Sequence, residues 1–193
     1  TTCSPFVSLK WKKQNETSYY NINTKLIGDY NAENILAAIC IGCHFDVEAN
    51  EICNAIENYV PKNNRSQLTE TPKNKLIIDT YNANPTSMRA SIENFAQLKM
   101  PSKVLLLGDM LELGPDSVQE HKAILELALE KGFDRIFLVG GEFAAAVSQM
   151  EDCATRVHLF DDSASLRDHF KEKPLSGCSI LIKGSRGKRL ERV

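Results

Sequence analysis

The 193-residue chain lacks any long apolar run, since no stretch approaches the roughly 20 residues that a membrane-spanning helix requires. It also lacks a strong surplus of charge, because 23 basic and 25 acidic residues leave a formal net charge of −2. Proteins that bind the phosphate backbone of nucleic acid usually carry a basic surplus. We therefore expect neither a membrane anchor nor a nucleic-acid partner.

Three sequence signals are missing as well. No G-x-G-x-x-G sequence follows the first strand of the alternating part, which disfavours a nucleotide-dependent oxidoreductase. No G-x-x-x-x-G-K-[ST] phosphate loop occurs anywhere in the chain. The sequence begins at Thr1, without an initiating methionine and without a charged segment that leads into an apolar signal core. We expect a piece of a longer, cytoplasmic protein.

The cysteines do not suggest a disulfide framework. All six are scattered through a chain that is large enough to fold around a core without disulfides, so reduced thiols are predicted. The sequence Cys40-Ile-Gly-Cys43-His44 matches the C-x-x-C-H spacing of haem attachment. It closes a helix-like apolar segment, however, where cysteine serves as a small buried hydrophobe. We favour this packing role and predict no metal site.

The first 72 residues are predicted to form an α+β region. Two β-like runs, residues 6–11 and 19–22, flank a polar turn and indicate a hairpin. Apolar spacing predicts helices over 32–43 and 47–59, and Pro61 ends the second. Because Thr71 and Pro72 are typical of a linker, we predict a domain boundary between residues 72 and 73.

Residues 73–193 alternate strand and helix, which predicts an α/β domain with a Rossmann-like, doubly wound and mainly parallel sheet. Right-handed crossovers bring the carboxyl ends of parallel strands to one edge, where ligands bind. We expect the loops after Asp79, Gly108, Gly140 and Lys183 to form a single rim there. Strands are predicted at 76–79, 104–107, 135–139, 156–159 and 179–182, and helices at 87–98, 117–131, 142–149, 163–170 and from 187 to the end.

The segment from residue 76 to residue 88 is the most informative part of this rim. Its apolar strand ends at Asp79, and Asn84 is predicted to cap a helix whose first residue is Pro85. The unpaired N–H groups of that helix would face the crevice, where anions and hydroxyl-rich ligands bind. Asp79 then either interacts with the helix dipole or accepts ribose hydroxyls.

Two further groups have a functional and a structural interpretation. Asn31 and Asn34 lie three residues apart at a helix start, so they either cap the helix or present carboxamides to the edge of adenine. Arg65 lies in a polar loop, where an arginine is either solvated or bound to a nucleotide phosphate or ribose.

Two rim loops carry additional charges. Asp109 and Glu112 lie in a loop bracketed by glycines, where they either orient a cationic amine or solvate the turn. Lys183 and Arg186 follow the last strand and can hold a carboxylate or a phosphate. His121, in the helix after the first of these loops, is predicted to be a surface residue.

Five sequence blocks in the same order resemble the Mur ligase family. They are Gly28-Asp-Tyr-Asn-Ala-Glu-Asn, Pro61-Lys-Asn-Asn-Arg-Ser-Gln, Asp79-Thr-Tyr-Asn-Ala-Asn-Pro-Thr-Ser-Met, Leu107-Gly-Asp-Met-Leu-Glu-Leu-Gly and Lys183-Gly-Ser-Arg-Gly. The third and fourth blocks are most similar to the family member that adds a dipeptide rather than a single amino acid.

This resemblance implies an ATP- and Mg²⁺-dependent ligase of peptidoglycan synthesis. It would join D-alanyl-D-alanine to UDP-N-acetylmuramoyl-tripeptide through an acyl phosphate. Residues 1–72 would be the end of the central ATP-binding domain, and residues 73–193 the C-terminal Rossmann-like domain. A monomer is expected.

The family pattern also implies roles for individual residues. Asn31 and Asn34 match asparagines near adenine, and Arg65 and Asp79 match residues that complete the nucleotide site. The residues that match positions near the dipeptide or the peptide end of the other substrate are Asn82, Asn84, Asp109, Lys183 and Arg186.

The departures from the family pattern limit what the chain is expected to do alone. The phosphate loop, its neighbouring modified lysine and the Mg²⁺ ligands would all lie upstream of Thr1. Without them nothing stabilises transfer of the γ-phosphate, so the isolated chain is predicted to be inactive. The alternative is a non-catalytic α/β module for nucleotide binding or protein interaction, because a fold does not by itself determine a function.

Overall fold

The computed structural model describes residues 1–3, 5–14, 16–62, 64–150 and 156–193. The chain forms two compact units, Thr1–Lys62 and Asn63–Val193. This division comes earlier than the boundary predicted between residues 72 and 73. The reason is that residues 67–70 form a strand that pairs within the sheet of the second unit.

The first unit is an antiparallel sheet of three strands with two helices. Its sheet has the order β1-β2-β3, and the predicted hairpin is β2 and β3. Val7 and Ile22 from the sheet pack with Ile35 of α1 and Ile52 of α2, which explains the apolar spacing in both helices. The elements are β1 (Thr2–Cys3), β2 (Phe6–Trp11), β3 (Tyr20–Ile27), α1 (Asn31–His44) and α2 (Ala49–Asn58).

The second unit contains the predicted parallel sheet, with the strand order β4-β5-β9-β6-β7-β8. All neighbouring strands are parallel except β4 and β5, which are antiparallel. The doubly wound α/β prediction is therefore confirmed. The elements are β4 (Gln67–Glu70), β5 (Lys75–Asp79), α3 (Pro85–Gln97), β6 (Lys103–Gly108), α4 (Ser117–Glu130), β7 (Arg135–Val139), α5 (Gly141–Ser148), β8 (Val157–Phe160), α6 (Ser163–Glu172) and β9 (Ser179–Lys183).

Strand β6 shows why the central strands read as continuous apolar runs. Val104 and Leu106 belong to a cluster with Leu166 of α6, on one face of the sheet. Leu105 and Leu107 alternate with them and are also buried, so the pleat directs them to the opposite face. A strand that is covered on both faces has no polar side to show in its sequence.

The secondary structure differs from the predictions in two places. No strand was predicted at residues 67–70, yet they form the edge strand β4 with only partial burial, which a polar sequence allows. The helix predicted from residue 187 to the end is replaced by two 3₁₀ turns, Arg186–Lys188 and Leu190–Arg192. Arg189 between them has a φ of 51°, in the left-handed region that interrupts an α-helix.

The predicted rim is confirmed by the register of the parallel strands. Asp79 at the end of β5 pairs with Lys183 at the end of β9, and Leu107 of β6 pairs with the same lysine on its other side. Gly108 pairs in turn with Val139 of β7. These four strands therefore end side by side, and the polar loops that follow them share one edge.

Two global properties bear on the earlier expectations. None of the helices in the described ranges is long and apolar enough to cross a membrane. Cys40, Cys43, Cys53 and Cys178 are free thiols. The prediction of reduced thiols also covered Cys153 and the side chain of Cys3, which lie outside the described residues.

Two histidines lie in an aromatic cluster between β7, β8 and α6. The ring of His158 stacks on Phe137 with centroids 5.0 Å apart, and His169 packs edge-on against Phe160 at 5.1 Å. Desolvation lowers the pKa of His158 below its ordinary value of 6.5, and the charges of His169, Arg135 and Lys173 act in the same direction. The folded state thus favours the neutral imidazole.

This environment predicts that acid destabilises the second unit. As pH falls below 6.5, the unfolded chain takes up the His158 proton before the folded chain does, so the free energy of unfolding decreases until the pH passes below the folded-state pKa. Urea unfolding followed by circular dichroism should show that His158→Phe has a flatter pH dependence than the unsubstituted chain. The exposed His44 is the control, and an equal flattening in His44→Phe would contradict the assignment.

Candidate functional site

A buried ion pair joins the ends of two neighbouring strands at the rim. The Nζ atom of Lys183 lies 2.6 Å from Oδ2 of Asp79 and also donates to the carbonyl oxygen of Asn82 at 3.2 Å. The Lys183 side chain is only 2% exposed, whereas Asp79 retains 16%. Lys183 therefore joins the two strand ends inside the protein, and Asp79 is the residue of the pair that remains partly exposed.

The two carboxylate oxygens of Asp79 differ in the hydrogen bonds that they accept. Oδ2 accepts from Lys183 and from the Ser91 hydroxyl at 3.4 Å. Among the described residues, Oδ1 accepts one long hydrogen bond, from the backbone N–H of Ser66 at 3.4 Å. A carboxylate oxygen has room for a second donor, so Oδ1 can accept a ligand hydroxyl.

Two arginines flank one exposed aromatic ring beside this pair. The Arg65 guanidinium carbon lies 3.8 Å from the ring centroid of Tyr81, and that of Arg186 lies 5.8 Å from it. Asn64 and Ser66, on either side of Arg65, have positive φ values of 58° and 45°. Such backbone conformations are uncommon for these residues and tend to occur at binding sites. The group presents two planar cations that suit a carboxylate or phosphate.

The start of α3 is built as predicted. Asn84 is the N-cap, its side chain accepts from the backbone N–H of Ser87 at 2.8 Å, and Pro85 is the first helical residue. The Asn82 carboxamide oxygen accepts from the neighbouring N–H of Ala83 at 2.9 Å. Both asparagines are exposed, so their carboxamides can still form hydrogen bonds with a ligand.

Asp109 lies deeper than the sequence suggested. It is 1% exposed, and its two oxygens accept from the backbone N–H groups of Phe143 at 3.0 Å and Glu142 at 3.3 Å, at the start of α5. Oδ2 also lies 2.6 Å from Nζ of Lys188. The prediction that Asp109 contacts a substrate is therefore corrected for this conformation, because its carboxylate is enclosed by protein donors. The alternative of a solvated turn fails for the same reason.

His121 is likewise buried, against the prediction of a surface histidine. It is fully enclosed, packs edge-on against Phe143 with centroids 4.6 Å apart, and accepts at Nε2 from the backbone N–H of Met110 at 2.9 Å. Its Nδ1 lies 2.7 Å from the carbonyl oxygen of Ser117 and donates to it. These hydrogen bonds secure the loop after β6.

The two asparagines of the first unit lie on one face of α1, as their spacing predicted. Asn31 is the first helical residue, and its Nδ2 donates to the carbonyl oxygen of Ile27 at 2.7 Å. Asn34 donates from Nδ2 to Oδ1 of Asn31 at 3.1 Å, and it is exposed. Neither side chain caps the helix, so the capping interpretation of these two asparagines is wrong.

The rim offers hydrogen-bonding and anion-binding groups. In the described part of the chain, no group of three or more His, Cys, Asp or Glu side chains lies close enough together to hold a metal ion. The predicted Mg²⁺ ligands were expected outside this sequence, and that expectation stays a prediction. What the rim can do is bind and orient an anion and a hydroxyl-bearing ligand.

The sequence did not single out three residues that complete the rim. They are Tyr81, whose ring lies beside the two arginines, and Ser185 and Lys188, which hold the segment after β9 in place. Tyr81 was visible as an aromatic residue that follows a strand end and comes just before two asparagines, Asn82 and Asn84. Lys188 gave no comparable signal, because only the turn in the fold brings it to Asp109.

Comparisons with known proteins agree with this geometry. A family model described as Mur ligase, glutamate ligase domain, matches residues 64–186. The UDP-N-acetylmuramoyl-tripeptide–D-alanyl-D-alanine ligase of Treponema pallidum is 33% identical over 174 residues, which are 89% of this chain and 38% of that protein.

Solved structures show the same relation. MurF from Acinetobacter baumannii has a TM-score of 0.86 at 27% identity, with 98% of this chain and 42% of that chain covered. A MurF ligase from Thermotoga maritima, solved in complex with ADP, has a TM-score of 0.75 and the same coverage of this chain, but at 20% identity it shows the fold alone. The chain thus spans less than half the length of these proteins.

The environment of Asp109 makes a prediction about Gly140. This glycine has a φ of 122°, and an added Cβ would overlap the Asp109 carboxylate and come within 2.6 Å of Nζ of Lys188. Gly140→Ala should therefore lower the free energy of unfolding by about 3 kcal/mol or more, the cost of disturbing a buried ion pair. Urea unfolding must be followed by circular dichroism, because the only tryptophan, Trp11, lies in the first unit.

Gly132 provides the matched control. It has a φ of 71°, and an added Cβ there would meet no atom within 4 Å. Gly132→Ala should cost about 1 kcal/mol, from backbone strain alone. Equal losses in the two variants would show that contact with Asp109 contributes nothing.

Proposed function

Because the chain belongs to the Mur ligase family, we propose that it is part of an ATP-dependent ligase that joins D-alanyl-D-alanine to UDP-N-acetylmuramoyl-tripeptide. The observation that carries this proposal is the pair of arginines around Tyr81, next to the partly exposed carboxylate of Asp79. These groups lie in or at the end of the sequence matched by the family model. Relatives with this activity in their names add support.

The two units take different roles in this proposal. We propose that Thr1–Lys62 belong to the central ATP-binding domain and Asn63–Val193 to the C-terminal domain, in place of a boundary between residues 72 and 73. The protein is further proposed to be a cytoplasmic monomer. A non-catalytic binding module remains the rival, since the rim could hold an anion without any reaction.

The residues of the rim suit the binding steps of such a reaction. ATP, with Mg²⁺, would supply the phosphoryl group that activates the tripeptide carboxylate. Arg65 can hold a phosphate, and Oδ1 of Asp79 can accept a ribose hydroxyl. Asn31 and Asn34, which keep their carboxamides on one face of α1, are proposed to contact adenine.

The incoming dipeptide would use the remaining polar groups. Its carboxylate suits the guanidinium of Arg186, and its amide groups suit the exposed side chains of Asn82 and Asn84. Lys183 is buried and paired with Asp79, so we propose that it orients Asp79 rather than touching a substrate. Holding both ligands at fixed groups raises the rate by positioning them.

Substitutions in the full-length ligase test the nucleotide assignments. Arg65→Ala and Asp79→Asn should each raise the KM for ATP about tenfold, because each removes one hydrogen bond that involves a charged group. The KM for D-alanyl-D-alanine should stay unchanged in Arg65→Ala, whereas Asp79→Asn also weakens the pair with Lys183 and therefore tests the ATP assignment only. Asp168→Asn, at an exposed aspartate paired with Lys171, is the control for loss of a surface charge. An unchanged KM for ATP in both variants would refute these roles.

The chain by itself is predicted not to ligate. Its sequence has no phosphate loop, the element that holds the β- and γ-phosphates for transfer. Release of inorganic phosphate from ATP, measured with both substrates present, should not exceed that of a heat-denatured sample. Turnover close to that of the full-length ligase would contradict this prediction. Absence of ligase activity in the full-length protein would instead favour the binding module.

A further inference from the structure

The segment after β9 is held at both ends by lysine–aspartate pairs. At its start, Lys183 lies 2.6 Å from Asp79, and at its end, Lys188 lies 2.6 Å from Asp109. Arg186 lies between the two lysines and is exposed, next to Tyr81. The exposed side chain of Arg186 thus lies between two lysines that are paired with aspartates of the protein.

Asp109 is connected to the segment by its backbone as well as by its side chain. Its carbonyl oxygen accepts from the backbone N–H of Ser185 at 3.2 Å. The Ser185 hydroxyl accepts from the backbone N–H of Leu111 at 2.9 Å, and its carbonyl oxygen accepts from the N–H of Lys188 at 2.9 Å. These bonds fix the residues before and after Arg186 without touching Arg186 itself.

The Asp109 carboxylate is in turn held rigidly. It accepts from two N–H groups at the start of α5, where the helix dipole favours a negative charge. Gly140 leaves the space that the carboxylate occupies. A buried carboxylate in such a setting is a fixed anchor for Lys188, which itself keeps 23% of its side chain exposed.

We propose that Asp109 and Lys188 are positioning residues, whose ion pair fixes the turn Arg186–Lys188 so that the Arg186 guanidinium stays beside Tyr81. This rests on the proposed function in one respect, namely that Arg186 binds the dipeptide carboxylate. Gly184 and Gly187 flank Arg186, and glycine gives a free segment many conformations. Restricting them before the ligand arrives lowers the entropy cost of binding.

A merely stabilising ion pair would behave differently. Its loss would lower the free energy of unfolding but would leave Arg186 next to Tyr81 in the chains that remain folded. A positioning pair, in contrast, changes the surroundings of Arg186 in the folded state. The two roles therefore separate in a measurement made on the folded protein.

The first measurement follows the Arg186 Nε–Hε resonance in the 193-residue chain by NMR. Arg186→Lys identifies the resonance, and Tyr81→Leu gives its position without the aromatic ring. In Lys188→Met the resonance should move toward the Tyr81→Leu value, and Lys188→Arg should restore it. Lys171→Met is the matched control, because it breaks an exposed lysine–aspartate pair of 2.7 Å and should leave the resonance in place.

The second measurement uses the full-length ligase. Lys188→Met should raise the KM for D-alanyl-D-alanine about tenfold, with kcat and the KM for ATP within about twofold of the unsubstituted values. Ser185→Ala, which removes the acceptor for Leu111, should move the Arg186 resonance and this KM in the same direction by a smaller amount. It keeps the test available if Lys188→Met does not fold.

The outcomes separate the inference from the proposed function. An Arg186 resonance that stays in place in folded Lys188→Met, or in Ser185→Ala if Lys188→Met does not fold, overturns the positioning role whatever the activity. A shifted resonance with an unchanged KM for the dipeptide overturns the link between Arg186 and the carboxylate. A full-length protein without ligase activity refutes the proposed function, while the NMR result still decides the positioning role.

Discussion

The rim of the second unit depends on the ion pair between Lys183 and Asp79. A lysine that is only 2% exposed loses nearly all of its hydration, and this cost is offset only by a close counter-charge and further acceptors. Asp79 supplies the charge, and the carbonyl oxygen of Asn82 supplies a second acceptor. Since β5 and β9 are parallel neighbours in register, the two residues face each other at the strand ends.

A pair of this kind contributes more to fixing one arrangement of side chains than to the free energy of unfolding. Apolar residues of similar size would often stabilise the same position at least as well. Lys183 instead fixes which oxygen of Asp79 is used internally, and Oδ1 remains the oxygen that a ligand can reach. The ion pair between Lys188 and Asp109 likewise fixes one arrangement at the other end of the segment after β9. Together they explain how a glycine-containing segment presents Arg186 in one place.

Much of the fold was predictable because the central strands are buried on both faces. Leu105 and Leu106 show this, since each packs on a different side and both must be apolar. The edge strand β4 was not predictable, because Gln67 and Glu70 lie at an edge that tolerates polar residues. The turn at Arg186–Lys188 escaped prediction because tertiary contacts hold it and local sequence preference does not.

The sequence predicted which strands and helices form the site, but it did not predict which side chains contact one another there. Strand ends and the Asn84 cap follow from local patterns, so Asp79 and Lys183 could be assigned to one edge from the sequence. Burial of Asp109 and His121 could not, because both lie in segments whose polarity resembles that of an exposed loop and a surface helix. Whether a charged residue binds a ligand or anchors the backbone is decided by long-range neighbours such as Lys188.

The contacts described around Asp79 and Asp109 all join residues of Asn63–Val193. Arg65, Tyr81 and Arg186 also lie in this one unit, where both guanidinium groups lie beside the Tyr81 ring. Such a unit can present a preorganised binding surface before any phosphoryl donor is in place. Preorganised groups need no rearrangement when charge develops, which is how fixed cations contribute to catalysis. The physical division is therefore between a surface that orients ligands and the phosphate-binding apparatus that this sequence does not contain.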